Sequence, residues 1–108
     1  MKIENTKAQM RKGILEYCIL EILSKKHSYA PDIIEEMKKA KMIVVEGTLY
    51  PLLTRLKNAG MLSYIWEESQ QGPPRKYYAL TDSGEKVLYE LKSSWNDIVE
   101  AVETIRKS

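Results

Sequence analysis

Residues 46–60 read EGTLYPLLTRLKNAG, and residues 61–85 follow directly as MLSYIWEESQQGPPRKYYALTDSGE. In the first block Leu49, Leu52, Leu53 and Leu56 recur at helical spacing, and Gly60 suits a left-handed helix C-terminus. The spacing predicts a helix over Gly47 to Ala59. Pro51 falls within its first five positions if it starts near Glu46 or Gly47, where proline costs less than the ~3 kcal/mol of an interior site. In the second block Met61 to Glu68 and Arg75 to Leu80 are rich in Tyr, Ile and Trp. Between them Ser-Gln-Gln-Gly-Pro-Pro interrupts helix and ladder alike, so the two runs predict a hairpin with a loose tip.

Upstream, Ile14, Leu15, Cys18, Ile19, Ile22 and Leu23 form one stripe that predicts a single helix over Gln9 to Lys25. His27 to Ala30 breaks that pattern. Pro31-Asp32 then opens a second helix, to about Ala40, with Ile33, Ile34 and Met37 on one face. Met42 to Val45 is a β-branched connector. Downstream, Thr81 or Asp82 caps a last helix, and only the pairing of Asp82 with Glu85 has capping-box chemistry. Along it Leu88, Leu91, Trp95, Ile98, Val102 and Ile105 alternate at spacings of three and four, an a/d seam suited to a partner helix.

The order of elements is three helices, a hairpin and a long helix. This predicts an α+β, mainly helical fold: a winged helix-turn-helix over residues 1–80 and a C-terminal dimerisation helix over residues 81–108. Other small α+β domains share the order. At 108 residues the chain builds one small core with little left for a deep cleft, which directs function to its surface or to an interface with a second copy.

One cysteine excludes a disulfide framework, one histidine excludes an imidazole cluster, and neither a phosphate loop nor a nucleophile–base pair is present. No enzyme and no cofactor are therefore expected. No apolar run approaches the roughly 20 residues of a membrane span, so the cytoplasm is the expected compartment. The net charge of +2 averages an uneven distribution, with six Lys/Arg against three Glu in the first 30 residues and four against six acidic residues from Thr81 onward. Such a chain can carry a basic face opposite an acidic helix.

Taken together, Glu46 to Leu56, Gly60, Trp66 to Ser69 and Gly72 to Gly84 resemble the PadR family of bacterial transcriptional regulators, and the resemblance runs in order from about Leu15 to Leu91. The single helix after the hairpin is similar to the short-tailed subfamily, which implies a homodimeric repressor that dimerises through that helix. One departure lies at the second helix. A Tyr-Gly-Tyr-like opening is common there, and this chain has Ser28-Tyr29-Ala30-Pro31-Asp32.

Several side chains lie off the leucine stripe and are available to a DNA groove: Thr48, Tyr50, Thr54, Arg55 and Lys57. At the wing, Pro73-Pro74 stiffen the approach of Arg75 and Lys76 to a phosphate, with Tyr77 beside them and Tyr78 and Leu80 turned to the core. Arg11 and Lys12 are either further backbone contacts or solvated cations. One subunit offers about three to five phosphate contacts, and two on a pseudo-palindromic operator in double-stranded DNA double that number.

The dimer seam is expected to comprise Leu88, Leu91, Trp95, Ile98, Val102 and Ile105. Drug-binding short-tailed relatives have a tryptophan at the position of Trp95, so the resemblance implies a pocket for a small planar aromatic effector between subunits. Met10, Gly13, Ile14, Tyr17, Trp95, Ile98 and Val99 would line it, or would simply pack the dimer. Val99 replaces an acidic residue of such a drug binder, with Asp97 and Glu100 close by. A protein-interaction module using the same faces is the competing reading.

Overall fold

A turn at Gly13-Ile14 divides the helix expected over Gln9 to Lys25. The computed structural model describes residues 2–108. Its first helix, α1 (Ile3–Lys12), buries no residue, and α2 (Leu15–Lys25) buries Leu15, Ile19, Leu20 and Leu23. The expected single helix over Gln9 to Lys25 is therefore two. At the junction Ile14 leaves helical geometry at φ −111°, ψ −3°, and its N–H turns back to the Arg11 carbonyl at 3.0 Å. α1 packs no apolar face against the core, and Gly13 itself keeps a right-handed helical φ of −67° and ψ of −20°, so the break does not draw on glycine's conformational freedom.

The next two helices match the expected positions closely. α3 (Ala30–Lys39) carries Pro31 in its first turn and buries Ile33 and Met37. After Lys41, which adopts a left-handed φ of 63°, an extended linker leads to α4 (Glu46–Asn58). Pro51 is the sixth residue of α4, one position deeper than expected, and lies on its exposed side. Gly60 ends this stretch at φ 82°, the left-handed conformation that glycine adopts without strain.

β1 (Leu62–Ser69) and β2 (Gly72–Leu80) pair antiparallel, from Leu62 opposite Leu80 to Ser69 opposite Gly72. The tip is thus a two-residue connection, Gln70-Gln71, and not a loose loop; the ladder extends through Gly72, Pro73 and Pro74. Register shifts between Glu67 and Ser69, and such a bulge accepts prolines that cannot donate to a regular ladder. Deeper in the sheet Ser28 exchanges two backbone hydrogen bonds with Tyr78, of 3.1 and 2.8 Å, which tie the start of α3 to the hairpin.

Thr81 caps α5 (Asp82–Lys107), its hydroxyl accepting from the Gly84 N–H at 3.0 Å. Glycine at this third position means the cap lacks the reciprocal carboxylate of a capping box. The Thr81 hydroxyl also donates to the Gly60 carbonyl at 2.6 Å, and its N–H donates to that of Met61 at 3.1 Å. A single core joins Ile19, Leu20, Ile33, Leu49, Leu53, Leu56, Leu62 and Tyr78 with Leu88 of α5. Leu88, at 7% exposure, belongs to that core and not to a free seam, and Leu91 is half-buried against it. The reason is contact between α2 and the first turns of α5, which uses the seam's beginning within the protomer.

Candidate nucleic-acid interface

The leucines of α4 anchor the helix and leave its other faces to solvent. Thr48, Tyr50, Thr54, Arg55 and Lys57 are all exposed, but they diverge. Thr48, in the first turn, shares a hollow of about 340 Å³ with Arg11 and Lys12 from the end of α1 and with Ile43 and Val45 of the linker. Free N–H groups at a helix start favour an anion, and two cations flank this one. Tyr50 and Thr54, one turn apart, face the wing. Arg55 is instead held in an ion pair with Glu16 of α2. Lys57 lies over the Tyr64 ring at 5.6 Å from its centroid.

The wing has two unlike faces because side chains alternate along each strand. Register sets Tyr64 opposite Tyr78 and Trp66 opposite Lys76 on the side toward α4. There the Lys76 ammonium sits 4.0 Å from the Tyr64 centroid, 5.6 Å from Trp66 and 5.7 Å from Tyr78. Three rings hold it in one place, so little ordering remains when it meets an anion. Tyr77 and Arg75 alternate to the other side, where Tyr29 packs on Tyr77 at 5.5 Å and the Arg75 guanidinium covers the Tyr29 ring at 4.8 Å.

Between α4 and the wing runs a cleft of about 500 Å³, with Tyr50 and Thr54 on one wall and Trp66 and Lys76 on the other, and with Arg75, stacked on Tyr29, also lining it. No carboxylate is among the residues lining it. The cleft unites four of the residues expected at the interface: Tyr50, Thr54, Arg75 and Lys76. It leaves Thr48 on the opposite flank of α4, Arg55 paired, and Lys57 and Tyr77 outside. Sequence reading passed over Trp66 and Tyr29. The signal for Trp66 was its alternation with Tyr64, but assigning it to the Lys76 face required the register of the tight turn.

A recognition-type helix beside a basic hairpin is a DNA-binding layout, and the sequence comparison decides whose. Residues 19–90 match the transcriptional regulator PadR-like family. The chain belongs to that family. Among solved structures, a PadR-like transcription factor from Bacteroides fragilis is 62% identical over 94% of this chain and 98% of its own, with a TM-score of 0.79. A PadR-like transcriptional regulator from Bacillus cereus is 37% identical over 93% and 98%, with a TM-score of 0.82. A PadR family regulator from Eggerthella lenta is 30% identical over 93% and 84%, with a TM-score of 0.80. This PadR-like protein is accordingly a DNA-binding transcriptional regulator of winged-helix fold and not an enzyme. Among the described residues no His, Cys, Asp and Glu cluster is arranged to hold a metal, and no helix is long and apolar enough to cross a membrane.

Beyond Leu91 no residue of α5 in this PadR-like chain is buried, and Trp95, Ile98, Val99, Val102 and Ile105 are exposed along it. Trp95 meets Tyr17 of α2 at 6.5 Å between rings. Tyr17 donates to the Glu21 carboxylate at 2.5 Å, and Lys92 approaches the other Glu21 oxygen at 4.0 Å. The hydrogen bond to Glu21 is the main cause that pushes the Tyr17 hydroxyl up to about 12. Of the residues expected around an effector, Tyr17 and Trp95 are thus neighbours. Ile14 is half-buried at the α1–α2 junction, Gly13 is exposed beside it, and Met10 lies on the solvent side of α1 with Asn5, Thr6 and Gln9.

Proposed function

We propose that this PadR-like regulator acts as a homodimeric repressor, with residues 1–80 presenting the DNA-binding surface and the free length of α5 joining two copies. The observation that carries the reading is the carboxylate-free cleft between α4 and the wing, whose cations stand beside the exposed side chains of a helix able to enter a major groove. Tyr50, Thr54, Arg75 and Lys76 form its centre, with Thr48, Arg11 and Lys12 reaching the backbone on the far flank. Two copies on a pseudo-palindromic operator double the cations offered to phosphate and make the combined affinity useful at physiological salt. The reading implies the cytoplasm, where the operator is.

The apolar residues from Trp95 to Ile105 support dimerisation, since an exposed stripe of this kind on a projecting helix is costly without a partner. A planar aromatic effector held beside Tyr17 and Trp95 would release the repressor only by preferring the arrangement of subunits that does not fit the operator. Footprinting on DNA upstream of its own gene tests the reading. Combining Tyr50→Ala with Arg75→Ala is expected to abolish the footprint while sedimentation still reports a dimer; a retained footprint would refute it.

A further inference from the structure

A helix in the major groove and a hairpin on the neighbouring groove are separated by one sugar–phosphate strand, so that strand passes through the space between them. Here that space is the cleft between α4 and the wing, and cations are only part of its lining. Trp66 is 63% exposed and Tyr50 is 44% exposed, one on each wall. Trp66 is held in place: its ring stands edge-on to Tyr64 at 6.4 Å and 86°, and the Lys76 ammonium lies 5.6 Å from it. A large ring kept rigid and uncovered offers a flat apolar face that loses little freedom when something packs on it, and phosphate gives it nothing to pack against. Deoxyribose does, because the sugar faces are the apolar surface of a DNA strand.

We infer that the cleft clamps a single strand of the DNA, with the Trp66 indole packed on deoxyribose and the ring-caged Lys76 on a flanking phosphate. Trp66 is then a DNA-contact residue that acts without charge and without reading a base. The inference rests on the DNA-binding reading above and assigns to its cleft a contact of different chemistry. An apolar sugar contact and a phosphate contact leave different marks on salt dependence, since only the second releases counterions.

The test compares the full-length protein with Trp66→Ala, Trp66→Phe and Lys76→Ala on two duplexes, the DNA upstream of its own gene and one of scrambled sequence, across a range of salt. Trp66→Ala is expected to weaken both by a similar factor, on the order of tenfold, at unchanged salt slope. Trp66→Phe should recover most of that loss. Lys76→Ala should lower the slope by about 1. In a Trp95→Phe background Trp66 is the remaining tryptophan, and its emission should change on adding either duplex, a readout that holds even where Trp66→Ala fails to fold. Wild-type affinity in a folded Trp66→Ala, or emission indifferent to bound DNA, would overturn the clamp and leave DNA binding intact. Binding of neither duplex by the wild type would remove both.

Discussion

Arg55 shows how a single side chain can be exposed and still be committed. Its guanidinium is paired with Glu16, so a carboxylate on α2 occupies a cation of α4. Removing that carboxylate should release Arg55 toward phosphate. Glu16→Gln is expected to raise affinity for scrambled DNA several-fold and steepen the salt slope by about 1, measured by fluorescence anisotropy. The same variant should change thermal stability little, because surface ion pairs contribute only about 0–1 kcal/mol. Tyr17 gives a residue-scale prediction in pH. Its neutral form is favoured in the folded chain, so its contribution is present up to pH 10 and is lost as pH rises through about 12. Glu21→Gln should lower the midpoint of one tyrosine from about 12 toward the ordinary range in an absorbance titration, since the hydrogen bond to Glu21 is the largest cause and burial remains. Burial pushes the Cys18 thiol up, which keeps it protonated at neutral pH, and alkylation should be slow until the chain unfolds.

At the scale of elements, the helices whose apolar stripes pack on the core were legible in the sequence, because Leu49, Leu53 and Leu56 or Ile33 and Met37 report both period and face. α1 was not, since it buries nothing and its polar composition carries no period to read. The hairpin was legible as two strands, but its tip was misread because Gly72-Pro73-Pro74 resembles loop chemistry and becomes strand only through the bulge. That one misreading hid Trp66, whose face follows from register, while the cations of the cleft announced themselves by charge. Gly84 carries a constraint of another kind. A Cβ there would lie 2.1 Å from the Met61 carbonyl oxygen, a backbone atom that cannot swing aside. Gly84→Ala is expected to cost about 2 kcal/mol or more and to lower the melting temperature by several degrees, as seen by circular dichroism.

For the whole molecule, the division of α5 matters more than its length. Its first turns supply Leu88 to the protomer core, and its remainder exposes Ile98 and Val102. Substituting both, Ile98→Lys with Val102→Lys, should leave helicity intact while sedimentation reports half the mass and the salt slope of DNA binding falls by roughly half, as one set of phosphate contacts is lost. The opposite end of the same helix has a mechanical consequence. Thr81 binds the carbonyl of Gly60 and the N-terminal turn presses on Met61, so α5 meets the end of α4 at a rigid elbow with no slack. From that elbow 26 helical residues reach about 39 Å. In the dimer proposed above, a shift where two such arms meet would be passed through that elbow to α4, so that each α5 would act as a lever on its own DNA-binding surface.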